Sequence, residues 1–183
     1  MHVARAATRA KLARCAGRSS RSLWEKARAL LAQHEIGRAH LKLAIELGWL
    51  REQDGAAASI AALRERARAI QQVALERCAL AYETEALSRA GDARAALARA
   101  QELVAVYDGW EPNGIYAPEA WLIAAQALAV GGDAQGAAAA RSRGVAWVRE
   151  VALPNVPEEF RDSFLRRNPV NRALLAAHAR AVS

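Results

Sequence analysis

The chain has 183 residues, of which 53% are hydrophobic and only 5% aromatic, and it carries a formal net charge of +7. This length suits one domain with a buried core, and an apolar content supplied mainly by alanine and leucine favours helix over strand. Two cysteines exclude a disulfide framework, and the lack of a long apolar run excludes a transmembrane span or secretory signal, so we expect a cytoplasmic, all-α protein.

The positive charge is concentrated at the amino terminus. Residues 1–30 contain eight basic side chains and one acidic side chain, whereas the remainder is balanced. We therefore predict a basic arm over residues 1–21, either helical or disordered, followed by a domain over 22–183. A mitochondrial transit peptide has a similar composition, but the arginine bias of the whole chain favours a bacterial gene. The cations of the arm are Arg5, Arg9, Lys11, Arg14, Arg18 and Arg21.

Apolar residues at helical spacing indicate the first two helices of the domain. The first begins near Ser20 or Ser22, either of which is placed to cap its start. The second follows Gly37 and ends at the turn-forming residues 53–55. These two helices are expected to pack against each other.

The segment 56–90 contains neither glycine nor proline. Its apolar residues form two stripes, one around Ile60 and Leu63 and one around Cys78 and Leu87. We predict two helices separated near residues 68–72, with one continuous helix as the alternative.

A Gly-Asp pair occurs twice, at 91–92 and 132–133, in matching segments 41 residues apart. The segments read ALSRAGDARAALARA over 86–100 and ALAVGGDAQGAAAAR over 127–141. In each, glycine can take the left-handed conformation that ends a helix, and aspartate can cap the next helix. Such a period is typical of stacked helical hairpins that cannot bury their apolar faces alone. A turn-rich loop over 108–119 joins the two copies.

This pattern resembles the tetratricopeptide-repeat family. The family positions are occupied by Leu80, Leu87, Gly91, Asp92, Ala96 and Leu103 in the first copy, and by Trp121, Ala124, Ala125, Leu128, Gly132, Asp133 and Ala137 in the second. Glu83 and Thr84 depart from the pattern, because the family has a pair of small residues there. The resemblance covers residues 37–152 and implies stacked antiparallel hairpins, an α-solenoid, that bind other proteins.

The carboxyl-terminal residues 156–183 are predicted to cap this stack with a pair of helices. Pro157 is placed to open the first, in which Phe160, Phe164 and Leu165 form an apolar stripe. Asn168 is placed to cap the second, which begins at Pro169 and turns Val170, Leu174, Leu175 and Ala177 or His178 inward. A terminal element of this kind would close the last apolar face of the stack.

The tail following GVAWVRE also resembles the carboxyl ends of tetratricopeptide regions in large bacterial transcriptional regulators and signalling ATPases. The resemblance implies a sensor or docking role, in a fragment of such a regulator or a stand-alone gene derived from its end. In the tetratricopeptide arrangement, the first helix of each hairpin lines a concave groove. The groove residues would be Glu85, Ser88, Arg89, Glu119 and Gln126, with Arg89 as the anchor for a carboxylate.

The sequence contains no recognised catalytic or metal-binding pattern. The histidines of HEIGRAH, His34 and His40, are six residues apart, whereas a zinc-protease helix needs them four apart. There is no phosphate-binding loop or nucleophile elbow, and the carboxylates at 83, 85, 158 and 159 are interpreted as solvated. We expect neither enzymatic activity nor a cofactor.

Three hypotheses follow. The first is a protein-interaction or regulatory module of the tetratricopeptide type. The second is a nucleic-acid-associated protein or ribonucleoprotein subunit that uses the basic arm. The third, compatible with the first, is a homo-oligomer that pairs exposed Trp24, Trp49 or Trp110 surfaces.

Overall fold

The computed structural model describes residues 2–33, 39–107 and 115–182. These residues form ten α-helices and no strand, which confirms the all-α prediction. The helices are α1 (His2–Cys15), α2 (Arg21–Gln33), α3 (Ala39–Arg51), α4 (Ala57–Ala69), α5 (Val73–Arg89), α6 (Ala93–Tyr107), α7 (Ala117–Val130), α8 (Ala134–Ala146), α9 (Glu158–Arg166) and α10 (Pro169–Val182). The predicted turn at Gly37, His34, and Trp110 with residues 108–114 of the predicted loop lie outside the described part.

The helices from α1 to α8 pack in chain order, and α5 also contacts both α3 and α7. Helices α3, α5 and α7 lie side by side, and α10 packs against α7 and α8. Helix α4 contacts α3 and α5, and α6 contacts α5 and α7. The main core fills the space between α3 and α8, and a smaller cluster joins α1, α2 and α3.

The helix ends between α4 and α8 follow the local sequence signals. Helix α4 ends at Ala69 and α5 begins at Val73, which confirms the predicted break rather than one continuous helix. Gly91 and Gly132 have φ of +78° and +89°, and Asp92 and Asp133 accept hydrogen bonds from the backbone three residues on. Alanines packed between the helices, including Ala96 and Ala137, are fully buried, so the helix axes approach closely.

Ser20 departs from its predicted role. It directly precedes α2, but its hydroxyl donates to Glu52 Oε1 at 2.7 Å instead of accepting from the backbone of α2. The side chain is buried, so a carboxylate from the end of α3 supplies the partner that it needs.

The carboxyl-terminal helices follow the prediction in part. Asn168 caps α10 by accepting from the amides of Val170 and Asn171, and Leu174 is fully buried. Phe160, a member of the predicted apolar stripe, is 58% exposed, because α9 is short and contacts chiefly α10. Asn171 is buried and joins three elements, accepting from the Tyr116 hydroxyl at 2.8 Å and donating to the Phe164 carbonyl at 3.0 Å.

The segment predicted as a basic arm contributes α1. Its alanines Ala6, Ala7, Ala10 and Ala13 are buried, and the first three belong to the small cluster with Trp24 and Ile45. Trp24, predicted to be exposed, is 4% exposed because α1 and α3 cover it. Trp49 is partly buried, with the Arg28 guanidinium 3.7 Å above its ring. Neither tryptophan therefore provides the exposed surface proposed for pairing two copies.

Candidate functional site

A buried arginine joins the ends of three helices. Arg51 is the last residue of α3, and its side chain is 3% exposed. It donates to Glu85 on α5 and to Glu119 on α7, each at 2.6 Å, and its guanidinium lies 3.9 Å from the centre of the Tyr82 ring. Since α3, α5 and α7 lie side by side, one charged group from each meets at the same level.

Arg14 approaches the same carboxylates from α1. Its guanidinium lies 3.2 Å from Glu52, 3.3 Å from Glu85 and 3.4 Å from Glu119. We call Arg14, Arg51, Glu52, Glu85 and Glu119 the charge cluster. It connects four helices, and each of its carboxylates has at least one arginine partner.

The charge cluster shifts the pKa values of Glu85 and Arg51. Burial alone would raise the pKa of Glu85, but the charges of Arg51, Arg14 and Arg89 and a hydrogen bond from Arg51 lower that pKa overall. Burial would likewise lower the pKa of Arg51, yet Tyr82, Glu119 and Glu85 raise it. Glu85 and Arg51 are therefore both charged near neutral pH.

The charge cluster separates two cavities. The apolar cavity, of about 150 Å³, lies among α1, α2, α3, α5, α7 and α10. The polar cavity, of about 440 Å³, opens on the other side and is lined by α1, the residues that follow it, α5, α7 and the start of α10. Arg14, Arg51 and Glu119 line both cavities.

The two sets of predicted site residues meet at the polar cavity. Glu85, Glu119 and Gln126 from the predicted groove line it, together with Arg14 and Arg18 from the predicted arm. Sequence reasoning placed these sets in different functions, because nothing local indicates that α1 returns to the inner face of α5 and α7.

The other two predicted groove residues do not line either cavity. Ser88 donates to the Thr84 carbonyl at 2.9 Å, and Arg89 donates to the Arg51 carbonyl at 2.8 Å. Arg89 therefore provides a hydrogen-bond donor for the last carbonyl group of α3, and its side chain does not line a cavity.

The remaining cations of the arm have different surroundings. Arg5 and Arg9 are exposed one turn apart on α1. Lys11 lines the apolar cavity, and Arg21 donates to Gln53 at 2.7 Å.

The solvated interpretation of Glu83 and Glu85 is wrong. Glu85 belongs to the charge cluster, and Glu83 is 7% exposed, with an oxygen 3.2 Å from Arg64 Nε without hydrogen-bond alignment. Arg64 also pairs with Glu102 on α6 at 3.0 Å. The departure from small residues at 83–84 was the available signal, since a carboxylate at a packed position needs a buried cation.

Sequence reasoning missed Arg51, Tyr82 and Cys78 as site residues. Cys78 is a free, buried cysteine, and the Tyr82 side chain one turn later hydrogen-bonds to it. Burial raises the pKa of Cys78 to about 11, so its thiol is protonated at neutral pH and is a poor nucleophile. The side chain of Cys15, the second cysteine of the chain, lies outside the described part.

No group of three metal-ligating side chains occurs among residues 2–33, 39–107 and 115–182. Within the same ranges, no helix is both long and apolar enough to cross a bilayer.

In comparisons with known proteins, no family model, curated protein or solved structure matches the chain. The charge cluster and the two cavities are therefore interpreted from their own chemistry.

Proposed function

We propose that this protein is a non-enzymatic protein-interaction or regulatory module of the tetratricopeptide type, serving as a sensor or docking region of a bacterial transcriptional regulator. The alternating packing of α3 to α8 and the two Gly-Asp turns support the repeat assignment. The charged groups of the charge cluster are paired with one another, and the thiol of Cys78 is protonated. Groups in these states suit binding better than nucleophilic or base catalysis.

The polar cavity is the observation that carries the docking proposal. It is open, and side chains of α5 and α7, the first helices of two successive hairpins, line it. Leu122 and Ile123 supply an apolar wall, while Gln126 and Arg18 supply exposed polar groups at its edge. These features suit a peptide segment with one acidic group, which Arg18 would bind in place of the predicted anchor Arg89.

Affinity capture with matched charge reversals tests this function. The tagged full chain is compared with Arg18→Glu and with Arg94→Glu, a control on the exposed side of α6, in nuclease-treated extract. A protein partner should be retained by the full chain and by Arg94→Glu, and its recovery should fall on the order of tenfold with Arg18→Glu. Equal recovery with all three chains would contradict docking at the polar cavity.

The alternative function is nucleic-acid association through α1. The observation in its favour is the exposure of Arg5 and Arg9 on one face, one turn apart, where they could contact neighbouring phosphates. Against it, Lys11 and Arg14 line cavities and Arg21 is engaged with Gln53, so fewer cations are available than the sequence suggested. Nuclease-sensitive recovery that is lost in an Arg5→Gln, Arg9→Gln double variant would favour this alternative.

A further inference from the structure

The apolar cavity is a separate feature from the docking surface. Its walls come from segments distant in sequence, through Trp24, Leu47, Leu75, Cys78, Ile115 and Val170. The first and last helices described, α1 and α10, both contribute to the lining, α1 through Lys11 and α10 through Val170. The cavity is thus a product of the whole fold, and no single hairpin forms it.

The size and the lining of the cavity indicate what kind of apolar group could occupy it. A volume of about 150 Å³ is large enough for one six-membered ring. The apolar part of the wall offers water no polar partners, whereas an apolar body gains contacts with the side chains there. A compact aromatic group therefore fits better than a chain of waters.

The charged residues around the cavity indicate which polar group a ligand would carry. Three cations, Lys11, Arg14 and Arg51, and two carboxylates, Glu52 and Glu119, line it. Arg14 and Arg51 are paired with the three carboxylates of the charge cluster. Lys11 is therefore the lining cation for which the described residues show no ion pair. Lys11 is solvent-exposed and therefore at the rim of the cavity, where an anionic group could remain partly hydrated.

We propose that the apolar cavity binds a small aromatic monocarboxylate, with its ring among Trp24, Leu75 and Ile115 and its carboxylate against the ammonium of Lys11. A neutral analogue would leave Lys11 without its partner, and an amine would place like charges together. The proposal does not rest on the docking function, since it uses a different cavity.

Calorimetric titration with three probes of one size tests the proposal: phenylacetate, 2-phenylethanol and 2-phenylethylamine. Phenylacetate should bind with a dissociation constant on the order of 0.1–1 mM, at least about tenfold more tightly than either of the others. In Lys11→Gln, phenylacetate affinity should fall about tenfold while 2-phenylethanol affinity stays the same. Lys26→Gln, which removes an exposed lysine from α2, should leave both affinities unchanged.

A cavity-filling variant tests the location independently of charge. Ala44 lines the cavity from α3, so Ala44→Leu should weaken phenylacetate and 2-phenylethanol together. Circular dichroism establishes whether each variant is folded. If Ala44→Leu does not fold, the comparison with Lys11→Gln still decides the proposal. The proposal is overturned if phenylacetate gives no binding heat up to about 10 mM, ten times the weakest expected constant, or if its affinity is equal in Lys11→Gln and the unchanged protein.

Discussion

At the scale of single residues, Glu83 and Glu85 show how α5 places two carboxylates in opposite electrostatic settings. The pKa of Glu83 is raised, because its burial outweighs the attraction of Arg64 and Arg99. The pKa of Glu85 is lowered despite burial, because Arg51, Arg14 and Arg89 act on it together. Although they are only two positions apart, Glu83 binds its proton more tightly than usual and Glu85 binds it more weakly.

The two residues therefore contribute to acid stability with opposite signs. Glu85 stabilises the fold above its unfolded-state pKa, and this contribution is lost as pH falls through its lower folded-state pKa. Glu83 takes up its proton more readily when folded, so its contribution favours the fold at acid pH and is lost as pH rises through its raised pKa. Urea unfolding measures how much the unfolding free energy decreases from pH 7 to pH 4. This decrease should be smaller in Glu85→Gln than in the unchanged chain, and larger in Glu83→Gln.

Each of these variants is the control for the other, because the substitution is the same and the sites share one helix. Arg51 retains Glu119 in Glu85→Gln, and Arg64 retains Glu102 in Glu83→Gln, so neither variant leaves a buried arginine without a carboxylate. Changes of the same sign in both variants would contradict the assignment.

At the scale of helices, the contact of α2 with α3 depends on a glycine. A β-carbon at Gly48 would overlap the Trp24 ring atoms Cζ2, Cη2 and Cε2, and that ring is buried. Gly48→Ala should therefore cost about 1–3 kcal/mol of overpacking, against roughly 1 kcal/mol gained from the helix propensity of alanine. The net loss of unfolding free energy is measured by urea denaturation.

A double-mutant cycle separates this clash from backbone effects. In a Trp24→Leu background the ring is absent, so Gly48→Ala should become neutral or stabilising. Gly132→Ala is the matched control: it meets no neighbour within 4 Å but has φ of +89°, and its cost of about 1 kcal/mol should be the same in both backgrounds. An unchanged cost of Gly48→Ala after removal of the tryptophan would contradict the packing account.

The helix boundaries were more predictable than the site, for a physical reason. The breaks at 70–72, 91–92 and 132–133 and the Asn168 cap depend on residues within one turn of each other, which the sequence displays directly. The roles of Ser20 and Arg51 depend on partners on other helices, at Glu52, Glu85 and Glu119. Periodicity reports which face of a helix is apolar, but it does not report which distant charge the polar residues meet.

At the scale of the whole molecule, α1 acts as a part of the fold that connects its two ends. Arg14 pairs with Glu52 directly after α3 and with carboxylates on α5 and α7. A β-carbon at Gly17 would lie 3.9 Å from Pro169 Cγ at the start of α10. Lys11 and Asn168 line the same apolar cavity. The segment predicted as an arm therefore helps to close both cavities, so its removal should affect residues far along the chain.

Deleting residues 1–18 tests whether α1 is integral to the domain. The deletion exposes the surface that Ala6, Ala7, Ala10 and Ala13 cover, and at roughly 0.8 kcal/mol per buried methyl group the cost is about 3 kcal/mol before the loss of Arg14. Urea denaturation, followed by circular dichroism, should show that decrease in unfolding free energy. The full chain with Arg5→Gln and Arg9→Gln loses only exposed charge and should stay within about 0.5 kcal/mol of the unchanged protein. Equal stability of the deleted and full chains would mean that α1 is an appendage, and a loss in the double arginine variant would mean that charge, and not the packing of the alanines, holds it in place.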